Sequence, residues 1–517
     1  MYKLGIDVGG TNTDAVLIDE NLHVAASVKQ HTTEDVYGGI LAAVRAVLKE
    51  SGVNPSEIRQ AMLGTTQCTN AIVQRKGLAP IGILRIGAPA ALGIPPMVDW
   101  AEDLKTVAVD TAMVGGGFEY DGKELAPFDE EAARDFFLGL KEKNVQSVAI
   151  SCVFSTVRSD HELRAAALCR EVMGDGVHVS VSSEIGSMGL MERENATILN
   201  AALYHVAESF TEGFARSLRD EGITNADVYL SQNDGTLMTM EYARRYPILT
   251  IACGPTNSIR GACYLSSLKN AVVVDVGGTT TDLGVIQNGF PRESGVAVTI
   301  GGVRTNFRMP DVISIGLGGG SIVRELGDGR VTVGPDSVGY QITEKALVFG
   351  GDVCTATDIA VRLGLARLGD PSKVSHLSEE FARKALAAAT ELVEDSLDAM
   401  KVSSEDVDLI LVGGGSIILP ETLSGAKTVV KPESGGVANA IGSVISKVSG
   451  NYEKLVDYLA TPREQALEEA KAEAARLAVE AGAVEESVEI IDVEDVPLQY
   501  YPGNTNRVKV KAAGDLR

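Results

Sequence analysis

At 517 residues the chain exceeds what one hydrophobic core can fill, so two large domains plus a small one are expected. Its 70 acidic against 46 basic side chains give a net charge of −24 with no Lys/Arg cluster; this argues against nucleic acid and anionic membranes as partners and requires any polyphosphate ligand to be met by a bridging metal and backbone donors. An aromatic content of 5% and 55 glycines fit a sheet-rich α/β enzyme better than a fibrous or disordered chain. The six cysteines (68, 152, 169, 253, 263 and 354) show no CxxC spacing, so they read as small buried hydrophobes of a cytoplasmic, reducing compartment rather than as metal ligands. No run of 18 apolar residues occurs and the N-terminus enters a strand at once, so neither membrane insertion nor export is expected.

The first element is a β-branched run at 4–8 that leads into Asp7-Val8-Gly9-Gly10-Thr11-Asn12-Thr13-Asp14 and out through a second run at 15–18. Almost the same phrase, Asp275-Val276-Gly277-Gly278-Thr279-Thr280-Thr281-Asp282, recurs between apolar runs at 272–276 and 283–286. Each copy predicts strand, tight loop, strand. A Rossmann fingerprint leads into a helix and a P-loop ends in Gly-Lys-Ser/Thr, so neither fits. Glycines admit an anion to the backbone, hydroxyls and amides donate to it, and a carboxylate at the mouth can hold a divalent cation through water. Two such loops suggest one polyphosphate gripped between two domains.

Between the copies, residues 34–50 have helical spacing, and a short strand at 61–63 opens onto Gly64-Thr65-Thr66-Gln67-Cys68-Thr69-Asn70. Residues 147–154 read as a buried strand, and Ser159-Asp160-His161-Glu162 as a capping box in which His161 is a first-turn residue or an acid–base group. A helical pattern covers 191–207. The loop 231–236 reads as a plain turn or as a substrate-facing loop, and Gly254-Pro255 begins a helix lined with small residues that can cross a neighbour closely. After the second copy come glycine-rich strand ends at 316–321 and at Gly413-Gly414-Gly415, flat surfaces against which a purine or ribose could lie, and a second small-residue helix at 437–443. Thr461, Pro462 and Glu464 predict an N-cap, N1 and N3 for a helix ending at Gly482, followed by strands near 487–493 and 507–511.

With these hairpins, glycine-rich strand ends and crossing helices, the chain resembles the sugar kinase/heat-shock/actin ATPase superfamily. Within it the chain is most similar to the hydantoinase A/oxoprolinase family, on Gly5 to Asp14, Gly64-Thr65-Thr66 with Thr69-Asn70-Ala71 and Arg75-Lys76-Gly77, Glu192-Arg193, Gly254-Pro255, Asp275 to Asp282, Gly318 to Ser321 and Val333-Gly334-Pro335. The resemblance implies an α/β fold of two actin-like (ribonuclease H-like) ATPase lobes, 1–265 with an inserted substrate-side segment and 266–450, and a small α+β domain at 451–517. It also implies ATP-dependent opening of a cyclic amide such as a hydantoin or 5-oxoproline by phosphorylation of the amide oxygen, with ATP and Mg²⁺, a hydantoinase B-like partner and an oligomeric assembly. On that basis Asp7 and Asp275 hold Mg²⁺ through waters. Gly9, Gly10, Thr11, Asn12, Thr13, Gly277, Gly278, Thr279, Thr280 and Thr281 surround the β- and γ-phosphates, and Gly413, Gly414 and Gly415 contact the adenosine. Thr65, Thr66, Asn70 and Arg75 form the substrate side, while Asp14 and Asp282 are hairpin caps or further site carboxylates. The stretch from Ser337 to Glu344 departs from the family pattern near the substrate pocket. Another small-molecule kinase, the ATP-activating subunit of a carboxylase, and a filament or nucleotide switch are the competing readings.

Overall fold

The computed structural model describes residues 1–9, 12–31, 36–295, 297–327, 329–499, 501 and 503–516. Strands β1 (Tyr2–Val8), β2 (Asn12–Asp19) and β3 (Val24–His31) form an antiparallel meander, and β1 lies parallel to β4 (Ile58–Thr65). The near-continuous apolar runs of β1, β2 and β4 are those of strands buried on both faces. An inserted, all-parallel sheet follows, made of β5 (Ile81–Ala88), β6 (Ala108–Gly115), β7 (Ser147–Cys152) and β8 (His178–Val181) in the order β6-β5-β7-β8 with its own core. The chain then returns to the first sheet as β9 (Asp227–Ser231), parallel to β4, and β10 (Leu237–Thr239). The helical pattern at 191–207 belongs to two helices, Leu190–Ala202 and Tyr204–Asp220, joined at Leu203.

The second sheet repeats the first. Antiparallel β11 (Ala271–Val276), β12 (Thr281–Gln287) and β13 (Phe290–Pro291) are joined by β19 (Val407–Val412), parallel to β11, and β20 (Ala426–Val430), parallel to β19. Its order, β13-β12-β11-β19-β20, matches β3-β2-β1-β4-β9 in sequence and direction. Between β13 and β19 lie the hairpins β14 (Val298–Ile300) with β15 (Val303–Thr305) and β17 (Ser321–Glu325) with β18 (Val331–Ser337), while β16 (Val312–Ile315) pairs with β12.

Two small-residue helices, Cys253–Ser266 and Ala438–Ile445, cross where the sheets meet. Each follows one sheet in sequence and packs on the other. Ile259 of the first fills the space over Gly284 in β12, whereas Ala440, Ser443 and Val444 of the second lie against Gly5 in β1. At the crossing point a Cβ on Gly261 would run into the Ala438 carbonyl and one on Gly442 into the Asn257 carbonyl, so both backbones touch only because both residues are glycine.

The segment 451–517, expected to stand apart, is continuous with the first sheet. Strand β21 (Val448–Asp457) runs parallel to β10 and antiparallel to β23 (Thr505–Gly514), which pairs with β22 (Glu489–Pro497) at the edge of one nine-stranded sheet. The helix Arg463–Ala481 covers this extension with Ala466, Ala470, Ala474 and Ala478 at fourfold spacing, and Gly450 lets it lie on β21. Its N-cap is Pro462 rather than Thr461, with no side-chain cap, because Pro462 adopts extended backbone (ψ 138) one residue before the helix begins.

Candidate functional site

The two repeated phrases fold into the same hairpin. Asp7 pairs with Asp14 and Val8 with Thr13; Asp275 pairs with Asp282 and Val276 with Thr281. Each connecting loop is closed by the same bond, Gly9 N donating to Asn12 O at 3.0 Å and Gly277 N to Thr280 O at 2.9 Å. Gly10 and Thr11 lie outside the described residues. Gly278 and Thr280 are exposed, and Asn12 and Thr279 half-buried. Thr13 and Thr281 alternate inward and are fully buried, and the Thr281 hydroxyl donates to Leu317 O at 2.7 Å. These two threonines serve the hairpin interior, because the period of two that points Asn12 and Thr280 outward turns their neighbours in.

The carboxylates at the strand ends face one another closely enough to interact. Asp7 is 5% exposed, and its pKa is pushed up to about 7, first by burial and then by the negative charges of Asp14 and Asp275; Asn439 and Lys29 oppose this. Burial likewise raises Asp275, against a hydrogen bond from Ser258 and the charge of Lys29, a residue of the other hairpin sheet. Asp282 rises to about 6 through burial and the charge of Asp275, opposed by a hydrogen bond from Ser314.

Each crossing helix supplies a polar group to the carboxylate beneath it. Asn439 Nδ2 donates to Asp7 Oδ2 at 2.9 Å and to Asp14 Oδ2 at 3.1 Å, and Ser258 bonds Asp275. Lys29 Nζ lies 2.9 Å from Asp14 Oδ1, directly across the β2–β3 register. Asp14 is thus a site carboxylate tied to Asp7, beyond any capping role. Lys29, Ser258 and Asn439 were not legible as site residues. The small-residue helices announced a close crossing, whereas which of their polar side chains faces a carboxylate depends on how the sheets meet.

Glycine does for Asp275 what it does for Asp7. A Cβ on Gly413, at the end of β19, would collide with Asp275 Oδ1, and one on Gly64, at the end of β4, with Asp7 Oδ1. Gly415 N donates to Val276 O at 2.7 Å, and Gly319 N and Gly320 N to Gly277 O and Gly278 O at 3.0 and 2.7 Å. Two glycine loops are thereby laid against the second hairpin, and of 413–415 only Gly414 has open space beside it.

Gly64 and Thr65, expected in a loop, end β4, and Thr66 is the N-cap of the helix Gln67–Gln74; this segment borders the first hairpin, with Thr66 N and Oγ1 both donating to Val8 O at 3.2 Å. Thr65 is buried, its Oγ1 accepting from Gln67 N, and Asn70 Nδ2 donates to Thr66 Oγ1 at 3.3 Å. Arg75 is placed differently from expectation. Its guanidinium donates to Ile72 O at 2.6 Å, Gly301 O at 2.8 Å and Asp103 Oδ2 at 3.3 Å, clamping the β14–β15 turn to the end of the helix Gln67–Gln74. His161 is buried, with Nδ1 accepting from Gly117 N at 3.0 Å and Nε2 3.2 Å from Glu124 Oε1. The 231–236 loop is an internal joint: Asp234 is buried, bonded to Thr236 and Ser449 and 2.9 Å from Lys511 Nζ.

The donor set fits a hydrated divalent cation. Asp7 Oδ1 is buried with no hydrogen-bond partner, Asp275 stands across from it, and no group of three or more His, Cys, Asp or Glu converges among the described residues, so a cation there would keep most of its waters, as Mg²⁺ does. Among the described residues no helix is long and apolar enough to cross a membrane.

Fold and site together define a mixed α/β protein with two like sheets and a pair of acidic glycine hairpins at their junction. Models of the hydantoinase/oxoprolinase N-terminal region and of hydantoinase/oxoprolinase match residues 3–173 and 193–367. The chain belongs to the hydantoinase/oxoprolinase family. It is 28% identical over 399 residues to the caprolactamase subunit alpha of Pseudomonas jessenii, covering 70% of this chain and 54% of that one. It is 27% identical over 393 residues to the acetophenone carboxylase gamma subunit of Aromatoleum aromaticum, covering 70% and 53%. The chain thus spans about half the length of these curated relatives. In fold it is similar to the crystal structure of ATP-dependent caprolactamase from Pseudomonas jessenii, with a TM-score of 0.79 at 22% identity over 100% of this chain and 88% of that one.

Proposed function

We propose that this chain is the ATP-using subunit of a cyclic-amide hydrolase, which phosphorylates the amide oxygen of a hydantoin or 5-oxoproline-like lactam to promote ring opening. In this reading residues 1–265 and 266–450 are two actin-like, ribonuclease H-like ATPase lobes, and 451–517 extends the sheet of the first. The observation that carries it is the pair of hairpins of identical register, one from each repeated sheet, set close enough that the charge of Asp275 raises the pKa of Asp7. Asp7 and Asp275 would hold Mg²⁺ through its waters, which supplies charge neutralisation for the phosphates. Asn12, Thr279 and Thr280 and the loop amides bind the phosphates, and the face around Gly414 takes the nucleoside.

Amide resonance makes a lactam carbonyl a poor electrophile. When its oxygen attacks the γ-phosphorus, an O–P bond forms, the bond to the β-phosphate oxygen breaks and ADP leaves. The ring nitrogen gives up its N–H proton to a water of the site as the imidate forms. Water then adds to the activated carbon, the ring C–N bond breaks as the nitrogen takes a proton, and a second water hydrolyses the resulting acyl phosphate to carboxylate and phosphate, steps assigned to a hydantoinase B-like partner. Gly64-Thr65-Thr66 and Asn70, bordering the first hairpin, form the substrate side, and Arg75 supports it from behind.

ADP release by the purified chain, measured with hydantoin, 5-oxoproline, caprolactam and hexoses, with and without the partner, tests this. Stimulation by a cyclic amide is expected; stimulation by hexoses alone would overturn it. Similarity to the acetophenone carboxylase gamma subunit favours a second reading, ATP activation of a carboxylase substrate, for which a ketone with bicarbonate is the stimulating pair.

A further inference from the structure

Asp7 is held on one side only. Its Oδ2 accepts from Asn439, whereas its Oδ1 is buried and has no partner. Beside it lies Asn257, fully buried on the first crossing helix, with neither amide atom hydrogen-bonded. Both groups lean on Gly64 from the place where a Cβ would stand, Asn257 Nδ2 being 2.7 Å from that point. A buried donor and a buried acceptor, each unsatisfied and adjacent, are costly left unmade. Asn257 also sits on the element that bridges the two sheets, a helix tied to the end of β4 by Cys253 and Thr65. Asp7 belongs to β1 of the first sheet, while Asn257 rides on a helix whose Ile259 is seated over Gly284 in the second sheet, and its carbonyl lies against Gly442.

We infer that Asn257 is a positioning residue for Asp7: when the sheets close on a bound nucleotide, the crossing helix carries its amide into a hydrogen bond with Asp7 Oδ1. The carboxylate is then fixed from both crossing helices, by Asn439 at Oδ2 and Asn257 at Oδ1, so closure and orientation of the carboxylate are one event. This rests on the reading that the cleft binds nucleotide.

The test uses the full chain and its Asn257→Leu variant. Crystal structures with and without Mg²⁺ and a non-hydrolysable ATP analogue are expected to show Asn257 Nδ2 move to about 3 Å from Asp7 Oδ1 only in the loaded form; an open gap in the loaded form overturns the inference. Asn257→Leu is expected to lower kcat for ATP turnover by about 100-fold, with nucleotide Kd changed by less than about threefold. The melting temperature of the unliganded variant should be equal or higher, since an unpaired amide has been removed. A lower melting temperature with unchanged kcat shows a merely structural residue and overturns it. Calorimetry on the unmutated chain separates the two claims: no uptake of Mg²⁺-ATP defeats the proposed function itself, whereas uptake with an unaffected Asn257→Leu defeats only the role of Asn257.

Discussion

Asp7 is a costly side chain to bury in the site. Its carboxyl is buried beside Asp14 and within reach of Asp275, and one of its oxygens lacks a partner. The folded chain therefore binds the Asp7 proton more tightly than the unfolded chain does. The cost is absent below the ordinary pKa of 3.8, grows as pH rises toward about 7 and is complete above it. Asp7→Asn keeps the shape, removes the charge and should raise stability at pH 8 by about 2–4 kcal/mol. At pH 4 the gain should vanish, and ATP turnover should be lost at every pH. Urea unfolding at the two pH values, alongside an ADP-release assay, checks this; equal gains at both would show that the carboxyl is not the source. Arg75 behaves oppositely. Its donors are occupied by backbone carbonyls and Asp103, so Arg75→Ala should cost about 1–3 kcal/mol of stability while leaving nucleotide affinity in calorimetry unchanged. Asp7 and Asp275 could be read from the sequence because the phrase is repeated around them. Arg75 stood in an equally distinctive block, but nothing in that block says that its side chain folds back onto Ile72 O.

The crossing helices carry the strictest geometric demand in the molecule. Gly442 and Gly261 each abut a carbonyl of the opposite helix, and no side chain can move aside to relieve a clash with backbone. Gly442→Ala should therefore destabilise by about 3 kcal/mol or more through overpacking, seen as a lower urea midpoint, whereas Gly254→Ala, with open space around it, should be nearly neutral. That the helices cross was legible in their small residues, and the strand–loop–strand of each hairpin in its flanking apolar runs. Their exchange, each helix packing on the sheet that the other follows in sequence, was not, because it is decided by contacts between residues as distant as Gly5 and Val444. The Asn439–Asp7 bond is hidden for the same reason.

At the scale of the whole molecule, the C-terminal strands seal the first sheet. A helix with a Gly stop followed by two alternating strands reads as a self-contained unit, and only the β10–β21 pairing, through Leu237 and Val448, reveals the continuity. Burial follows the sheet: Met62, Tyr229 and Leu237 share one core with Val508, Val510 and Ala512. Charge follows it too. Lys511 Nζ lies 2.9 Å from Asp234 Oδ2 and 3.5 Å from Glu293 Oε1, and Lys509 Nζ 2.6 Å from Glu293 Oε2, so β23 neutralises one carboxylate from the β9–β10 turn and one from the segment after β13. Those lysines, with Arg308, hold Glu293 well below the usual carboxylate range against the cost of its burial. Removing one partner of such a buried set leaves the others unpaired, so Lys511→Ala should cost about 3–5 kcal/mol. Deleting 448–517 should do more, exposing the Leu237 edge and stranding Asp234 and Glu293 together, and the truncated chain should be recovered only as aggregate. A shortened chain that stays soluble and melts with the cooperativity and midpoint of the full one would instead make the C-terminal strands a separable module, and the shared core around Leu237 dispensable.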